Sequence, residues 1–169
     1  YNPQFRDVKK FSEGLAVVRF KNKKWGFIDK SGEIIIPPKY DNARSFSEGL
    51  AAVQFDERKD NMWGFIDKSG EIIIPPKYKY DNAQSFSEGL AAVTHYDRYY
   101  REAIWGYIDR EGKIAIPFEF YHASPFSKGL AMVQEKKNGL CGYIGKKGVF
   151  VIEPQFFSCK SFDDSGEAF

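Results

Sequence analysis

The sequence predicts an all-β protein: a tandem array of three-stranded antiparallel β units forming a β-hairpin repeat solenoid, with a propeller-like arrangement as the alternative. Three observations predict it. Two short blocks recur along the whole chain, turn residues punctuate each repeat at fixed places, and the composition is strongly aromatic. There are 16 Phe, 10 Tyr and 3 Trp among 169 residues, with 15 Gly and 8 Pro. Aromatic and β-branched side chains suit a pleated, half-buried surface, and glycine and proline suit the turns between strands.

The first block, Phe-Ser-Glu-Gly-Leu-Ala, begins at Phe11, Phe46 and Phe86, with a Lys variant at Phe126 and a degraded echo at Phe162. The second, Trp-Gly-Phe/Tyr-Ile-Asp, begins at Trp25, Trp63 and Trp105 and degrades to Cys-Gly-Tyr-Ile-Gly at Cys141. Successive Phe positions lie 35, 40, 40 and 36 residues apart. The arm from Trp to the next Phe holds at 21, 23, 21 and 21 residues, while the arm from Phe to Trp varies over 14, 17, 19 and 15. Length change therefore concentrates in one loop per unit, and in a regular array these loops share an edge.

The first strand of each unit is Gly14-Leu15-Ala16-Val17-Val18, matched by 49–53, 89–93 and 129–133. A hairpin follows. In Trp25-Gly26-Phe27-Ile28-Asp29-Lys30-Ser31-Gly32-Glu33-Ile34-Ile35-Ile36-Pro37 the Asp and Gly predict a type I turn closed by a left-handed glycine, repeated at Gly70, Gly112 and Gly148. The register then pairs Asp29 with Glu33 and Ile28 with Ile34. It puts Trp25, Phe27 and Ile35 on one face and Gly26, Ile28, Ile34 and Ile36 on the other. Both faces are apolar, so a lone hairpin leaves one bare; the preceding strand and neighbouring units must cover it. Pro37-Pro38 and Pro75-Pro76 are expected to end strand pairing, having no N–H to donate.

These boundaries give a single array over 1–169, with units 11–45, 46–85, 86–125 and 126–161 and partial units at 1–10 and 162–169. Open at both ends and without a starting Met, it reads as a fragment of a larger protein, the alternative being a ring sealed by its termini. A net charge of +2 supplies no long-range field toward nucleic acid, and no apolar run approaches the roughly 20 residues of a membrane span. No basic-then-apolar signal segment opens the chain.

The run from Trp25 to Asp41, followed by Phe-Ser-Glu-Gly-Leu-Ala, resembles the bacterial WG (KWG) repeat family. The resemblance covers essentially the whole chain and departs in the last unit, at Cys141, Gly145 and Lys128. It implies a β-hairpin repeat module, often part of a larger protein, that serves interaction rather than catalysis, with no shared catalytic residues to transfer.

Recurring carboxylates do not make an active site. Glu13, Glu48 and Glu88, and Asp29, Asp67 and Asp109, occur one per unit and cannot converge on a single bond; turn hydrogen bonding and solvation are expected of them. The repeated tryptophans are expected to pack in the core, the alternative being a platform for stacking sugars, cell-wall polymer or bases. Cys141 and Cys159 are expected as buried free thiols, or as a disulfide if the chain is exported. With His95 and His122 they show no ligand-like spacing, so no metal, cofactor or catalytic dyad is expected.

The variable loops remain: 21–24, 56–62, 96–104 and 136–140. The third contains Tyr96, Asp97, Arg98, Tyr99, Tyr100 and Arg101, combining the residue types enriched at binding hot spots. Tyr96, Arg98, Tyr99, Tyr100 and Arg101 are thus the candidate partner-binding residues, on a non-catalytic scaffold that docks a protein partner or another domain of the same polypeptide. The basic loops 21–24 and 136–140 add an attraction for acidic partners.

Overall fold

A computed structural model of the chain describes residues 5–55, 62–76, 80–97 and 102–160. Every regular element among them is a β-strand, and the chain divides into two compact units, Tyr1–Ser85 and Phe86–Phe169. The first unit holds β1 (Phe5–Val8), β2 (Ala16–Phe20), β3 (Trp25–Ile28), β4 (Ile34–Tyr40), β5 (Asn42–Ala43), β6 (Ala51–Gln54), β7 (Trp63–Ile66), β8 (Ile72–Ile74) and β9 (Tyr80–Ala83). The second holds β10 (Ala91–Asp97), β11 (Glu102–Ile108), β12 (Ile114–Ala123), β13 (Leu130–Glu135), β14 (Cys141–Gly145) and β15 (Phe150–Phe156).

Strands β1-β2-β3-β4 and β5-β6-β7-β8 form two antiparallel sheets, and β10 to β15 are hydrogen-bonded in sequence order. The expected three-stranded unit is present with one addition. The segment leading into each Phe-Ser block pairs with the first strand that follows it: Val8 lies opposite Val18, Ala43 opposite Val53, and Ala123 opposite Val133.

Between them sits a two-residue turn. Ser12 bridges Leu15 while Glu13 (φ 51°) and Gly14 (φ 91°) both take left-handed backbone, as a type I′ hairpin requires. Glu48, Glu88 and Lys128 occupy the same strained conformation. A left-handed non-glycine residue costs roughly 1–2 kcal/mol, so its recurrence points to a use for the side chain.

That use is visible within each compact unit. Both oxygens of Glu13 accept the Gly49 N–H, the nearer at 3.0 Å, and Lys68 lies 3.2 Å from the same carboxylate. Glu88 accepts the Gly129 N–H at 3.1 Å and meets Lys146 at 3.1 Å. Instead of solvating their own turns, as the sequence suggests, these two glutamates staple one repeat to the next. The Ser12 hydroxyl donates to the Phe46 carbonyl (2.7 Å) and Ser87 to that of Phe126 (2.6 Å). Phe27 packs on Phe46 with ring centroids 4.9 Å apart, as Tyr107 does on Phe126 at 5.0 Å.

The hairpin turn forms as its Asp-x-x-Gly chemistry dictates. The Gly32 N–H donates to the Asp29 carbonyl, the Asp29 N–H to that of Glu33, and Gly32 has φ 89°. The Asp29 carboxylate accepts the Ser31 and Glu33 N–H groups and the Ser31 hydroxyl. Asp67 does the same toward Ser69 and Glu71.

Beyond the turn, the expected register holds for one pair and then shifts. Ile28 faces Ile34, but Phe27 faces Ile36, and Trp25 faces Tyr40. Ile35 is the extra residue of a bulge, so Ile36 is buried beside Trp25 and Phe27 while Ile34 and Ile35 stay exposed. Pro37 and Pro38 do not end this strand; they arch over Gly26, and pairing resumes at Tyr40. A Cβ built on Gly26 would lie 2.5 Å from the Ile36 carbonyl oxygen, and Gly64, Gly106 and Gly142 are equally crowded by Ile74, Ile116 and Ile152. The Gly of Trp-Gly is therefore the space into which the bulge folds.

The core runs across repeats. Trp25, Phe27, Ile36, Tyr40 and Ala43 share one cluster with Phe46 and Ile66 of the following repeat. In the second unit Tyr107, Ile116 and Phe120 cluster with Phe126 and Ile144. Each fully buried ring contributes on the order of 1.5–3 kcal/mol, and no repeat buries its rings alone.

Candidate functional site

The third hairpin carries the candidate site. Strands β10 and β11 pair over seven positions, from Ala91–Ile108 out to Asp97–Glu102, whereas β2–β3 and β6–β7 pair over four. Thr94, His95 and Tyr96 suit strand geometry and extend the ladder outward. Of the loop expected over 96–104, residues 96–97 and 102–104 are strand. Tyr96 is 42% exposed on β10, opposite Ala103. Arg98, Tyr99, Tyr100 and Arg101 lie outside the described residues. The base of the hairpin is anchored: Ile104 is buried, the exposed His95 ring lies 5.9 Å from that of Phe118, and Glu102 pairs with Lys136 at 3.7 Å.

The first and fourth loops are tied down. Phe20 and Lys24 close 21–24 by backbone hydrogen bonding, and the Lys24 ammonium pairs with Asp41. Of the second loop only Met62 is described, residues 56–61 lying outside. Glu135 and Leu140 close the fourth, whose Lys136 is the partner of Glu102. Two of the lysines expected to attract an acidic partner are therefore already paired.

Trp25 and Trp63 are buried in the core as expected, and Trp105 is partly buried against it. Lys9 lies 4.7 Å over the Trp25 ring and donates to the Ala43 carbonyl at 2.8 Å. Burial, helped by the nearby Arg44 charge, pulls the Lys9 pKa down. Arg44 covers Trp63 in the same way and donates to the Ala83 carbonyl.

The fourth repeat corrects the cysteine reading. Cys141 and Cys159 form a disulfide. They occupy the positions that Trp25 and Ala43, members of one buried cluster, hold in the first repeat. A cleft of about 290 Å³ opens beside them, lined by His122, Met132, Gln134, Phe157 and Ser158 as well as both cysteines. Nothing in their spacing marks His122 and the cysteines as converging. Their joined sulfurs leave no thiolate there for nucleophilic attack. Among the described residues no group of three or more His, Cys, Asp or Glu side chains is placed to hold a metal ion.

The fold and its repeated contacts define an antiparallel β-repeat protein in which, within each compact unit, one repeat is completed by the next. A model of the WG containing repeat matches the chain five times, over residues 1–25, 25–58, 63–99, 105–141 and 142–166. The chain belongs to this family. No curated protein matches it.

Proposed function

We propose that the chain is a non-catalytic repeat module that binds a partner protein, or another domain of the same polypeptide, through the tip of its third hairpin. The observation that carries this reading is the seven-pair β10–β11 ladder with Tyr96 exposed near its end. A paired ladder anchored by Ile104 and by the Glu102–Lys136 ion pair gives the connecting residues a rigid base, the usual arrangement of a binding loop. Tyr and Arg supply large contact area and directional donors at such a tip. Stacking of sugars or bases on the repeated tryptophans lacks comparable support, because that platform needs exposed rings at repeat spacing and Trp25 and Trp63 are buried.

The test is affinity capture from nuclease-treated bacterial lysate. The wild-type chain is compared with a variant carrying Ser at Tyr96, Arg98, Tyr99, Tyr100 and Arg101, circular dichroism confirming that both are folded. A protein retained by the wild type and lost from the variant is expected. Equal recovery from both, or no recovery from either, overturns the reading.

A further inference from the structure

The fourth repeat has an open cleft where the first two hold a tryptophan. Opposed residues of an antiparallel ladder share a face. His122 lies opposite Gln134 and Gln134 opposite Cys141, so the three form one row across β12, β13 and β14. The corresponding rows of the first two repeats run from Arg19 to Trp25 and from Gln54 to Trp63, and each ends on an indole. A cation two residues before the Phe-Ser block covers that indole: the Lys9 ammonium lies 4.7 Å over Trp25 and the Arg44 guanidinium 5.6 Å over Trp63. The fourth repeat has neither part. Cys141 stands at the Trp position. Ser124, at the position of Lys9 and Arg44, is buried, and its hydroxyl accepts the Met132 N–H at 3.0 Å. Two replacements at interior positions of one compact unit thus leave the row without its ring and its cover. The cleft of about 290 Å³ opens on this row, with the disulfide as one wall.

Its lining suits an aromatic ligand. Met132 and the joined sulfurs of Cys141 and Cys159 supply polarizable apolar surface, and a sulfur beside a ring is favourable. Gln134 donates an amide N–H to the Gly139 carbonyl at 2.7 Å, which fixes the carboxamide. Among the described residues nothing donates to its oxygen, so that acceptor is left for a ligand. A cavity of about 150 Å³ takes benzene, and roughly twice that volume takes a two-ring group. We propose that the cleft binds a planar aromatic group of the size of indole bearing an N–H donor, with Met132 and the disulfide against the ring and Gln134 accepting from the N–H. A free aromatic molecule and the tryptophan side chain of a partner protein share this chemistry. The cleft is independent of the hairpin tip, and either reading can fail without the other.

The two methionines of the chain, Met62 and Met132, make the test direct. In the full chain labelled at its methionine methyl groups, indole is expected to move the Met132 signal by ring current and to leave Met62 in place. Saturation should come at roughly millimolar concentration, as for other ligands of this size. 1-Methylindole, which has no N–H, should bind roughly fivefold more weakly. Cys141→Trp with Cys159→Ala puts a tethered indole into the cleft and should abolish the response, circular dichroism confirming the fold. Gln134→Leu tests the site whether or not that double variant folds: it should erase the preference for indole over 1-methylindole. N-Acetyltryptophanamide separates the two sources. A Met132 response to it as well as to indole supports the site with a partner's side chain as occupant, and a response to indole alone supports it with a free molecule. No Met132 shift with either compound, or equal shifts of both methyl groups, overturns the proposal. So does a response that persists in the folded double variant, equal affinity of the wild type for indole and 1-methylindole, or a preference that survives Gln134→Leu.

Discussion

At the scale of single residues, two tyrosines test what a buried hydroxyl contributes. Tyr107 is buried and donates to the Ser124 carbonyl at 2.7 Å, and burial drives its pKa well above the ordinary tyrosine value. Tyr40 is as deeply buried, yet its hydroxyl has no partner among the described residues, and Phe120 holds the corresponding place in the third repeat. An unsatisfied buried hydroxyl costs about 1–3 kcal/mol, whereas a satisfied one contributes about 1 kcal/mol. Tyr40→Phe is therefore expected to raise the urea midpoint and Tyr107→Phe to lower it, each by about 1 kcal/mol; shifts of the same sign would refute the distinction. The turn aspartates set a second expectation. The Ser31 hydroxyl, against the opposing effect of desolvation and with the Glu33, Ser31 and Gly32 N–H groups, holds Asp29 below the usual carboxylate range. Ser69 and its neighbouring amides do the same for Asp67. A folded-state pKa below the unfolded one gives stability that is complete above the unfolded value, about 3.9, and is lost as pH falls through the depressed folded value. Unfolding followed from pH 7 to pH 2 should therefore show stability falling in the acid range. The fall should be shallower in Asp67→Asn, which cannot titrate.

At the scale of the element, the hairpin shows where local chemistry was legible and where it was not. Its turn could be read because Asp-x-x-Gly specifies both the side-chain acceptor and the left-handed glycine. The register beyond it could not, because Ile34, Ile35 and Ile36 are chemically identical and a uniform apolar run does not say which member is skipped. The signal lay on the opposite strand: a glycine inside a strand marks a close backbone approach, and Gly26 lies under the Ile36–Pro38 arch. The glutamate staples were hidden for a related reason, since their partners lie 36 and 41 residues away in sequence. Gly26→Ala sets a Cβ against backbone that cannot move without breaking the bulge, and should cost about 3 kcal/mol, the upper range for overpacking. Gly32→Ala meets nothing within 4 Å and should cost only the left-handed penalty of about 1–2 kcal/mol. Urea unfolding of the two variants checks the order, and a Gly26→Ala variant as stable as Gly32→Ala would remove the packing role assigned to the motif.

At the scale of the whole molecule, the repeat positions were legible as a frame, and the disulfide stood in it only as the alternative to buried free thiols, because the frame places both cysteines at packed positions without giving their separation. Cys141 stands at a Trp position and Cys159 at an Ala position, and in the first repeat Trp25 and Ala43 share one buried cluster. Two cysteines at packed positions are close enough to bond, and their Cα atoms are 6.1 Å apart. The disulfide thus stands in the last repeat where a large ring fills the earlier ones. It closes a loop across 18 positions, for which cross-linking contributes about 3 kcal/mol by restricting the unfolded chain. Replacing both cysteines by Ser should remove that contribution and leave the space of a ring unfilled. Replacing Cys141 by Trp and Cys159 by Ala should recover much of the loss, because it restores the pair used at the other end of the chain. Amide exchange resolves the effect by strand: β13, β14 and β15 should lose protection in the Ser variant and regain it in the Trp/Ala variant. Strands β2 and β3 have no described contact with either cysteine and should be unchanged in both. Recovery no better than with Ser would show that the last repeat has diverged in shape as well as in sequence, and that the disulfide is not a substitute for the missing tryptophan.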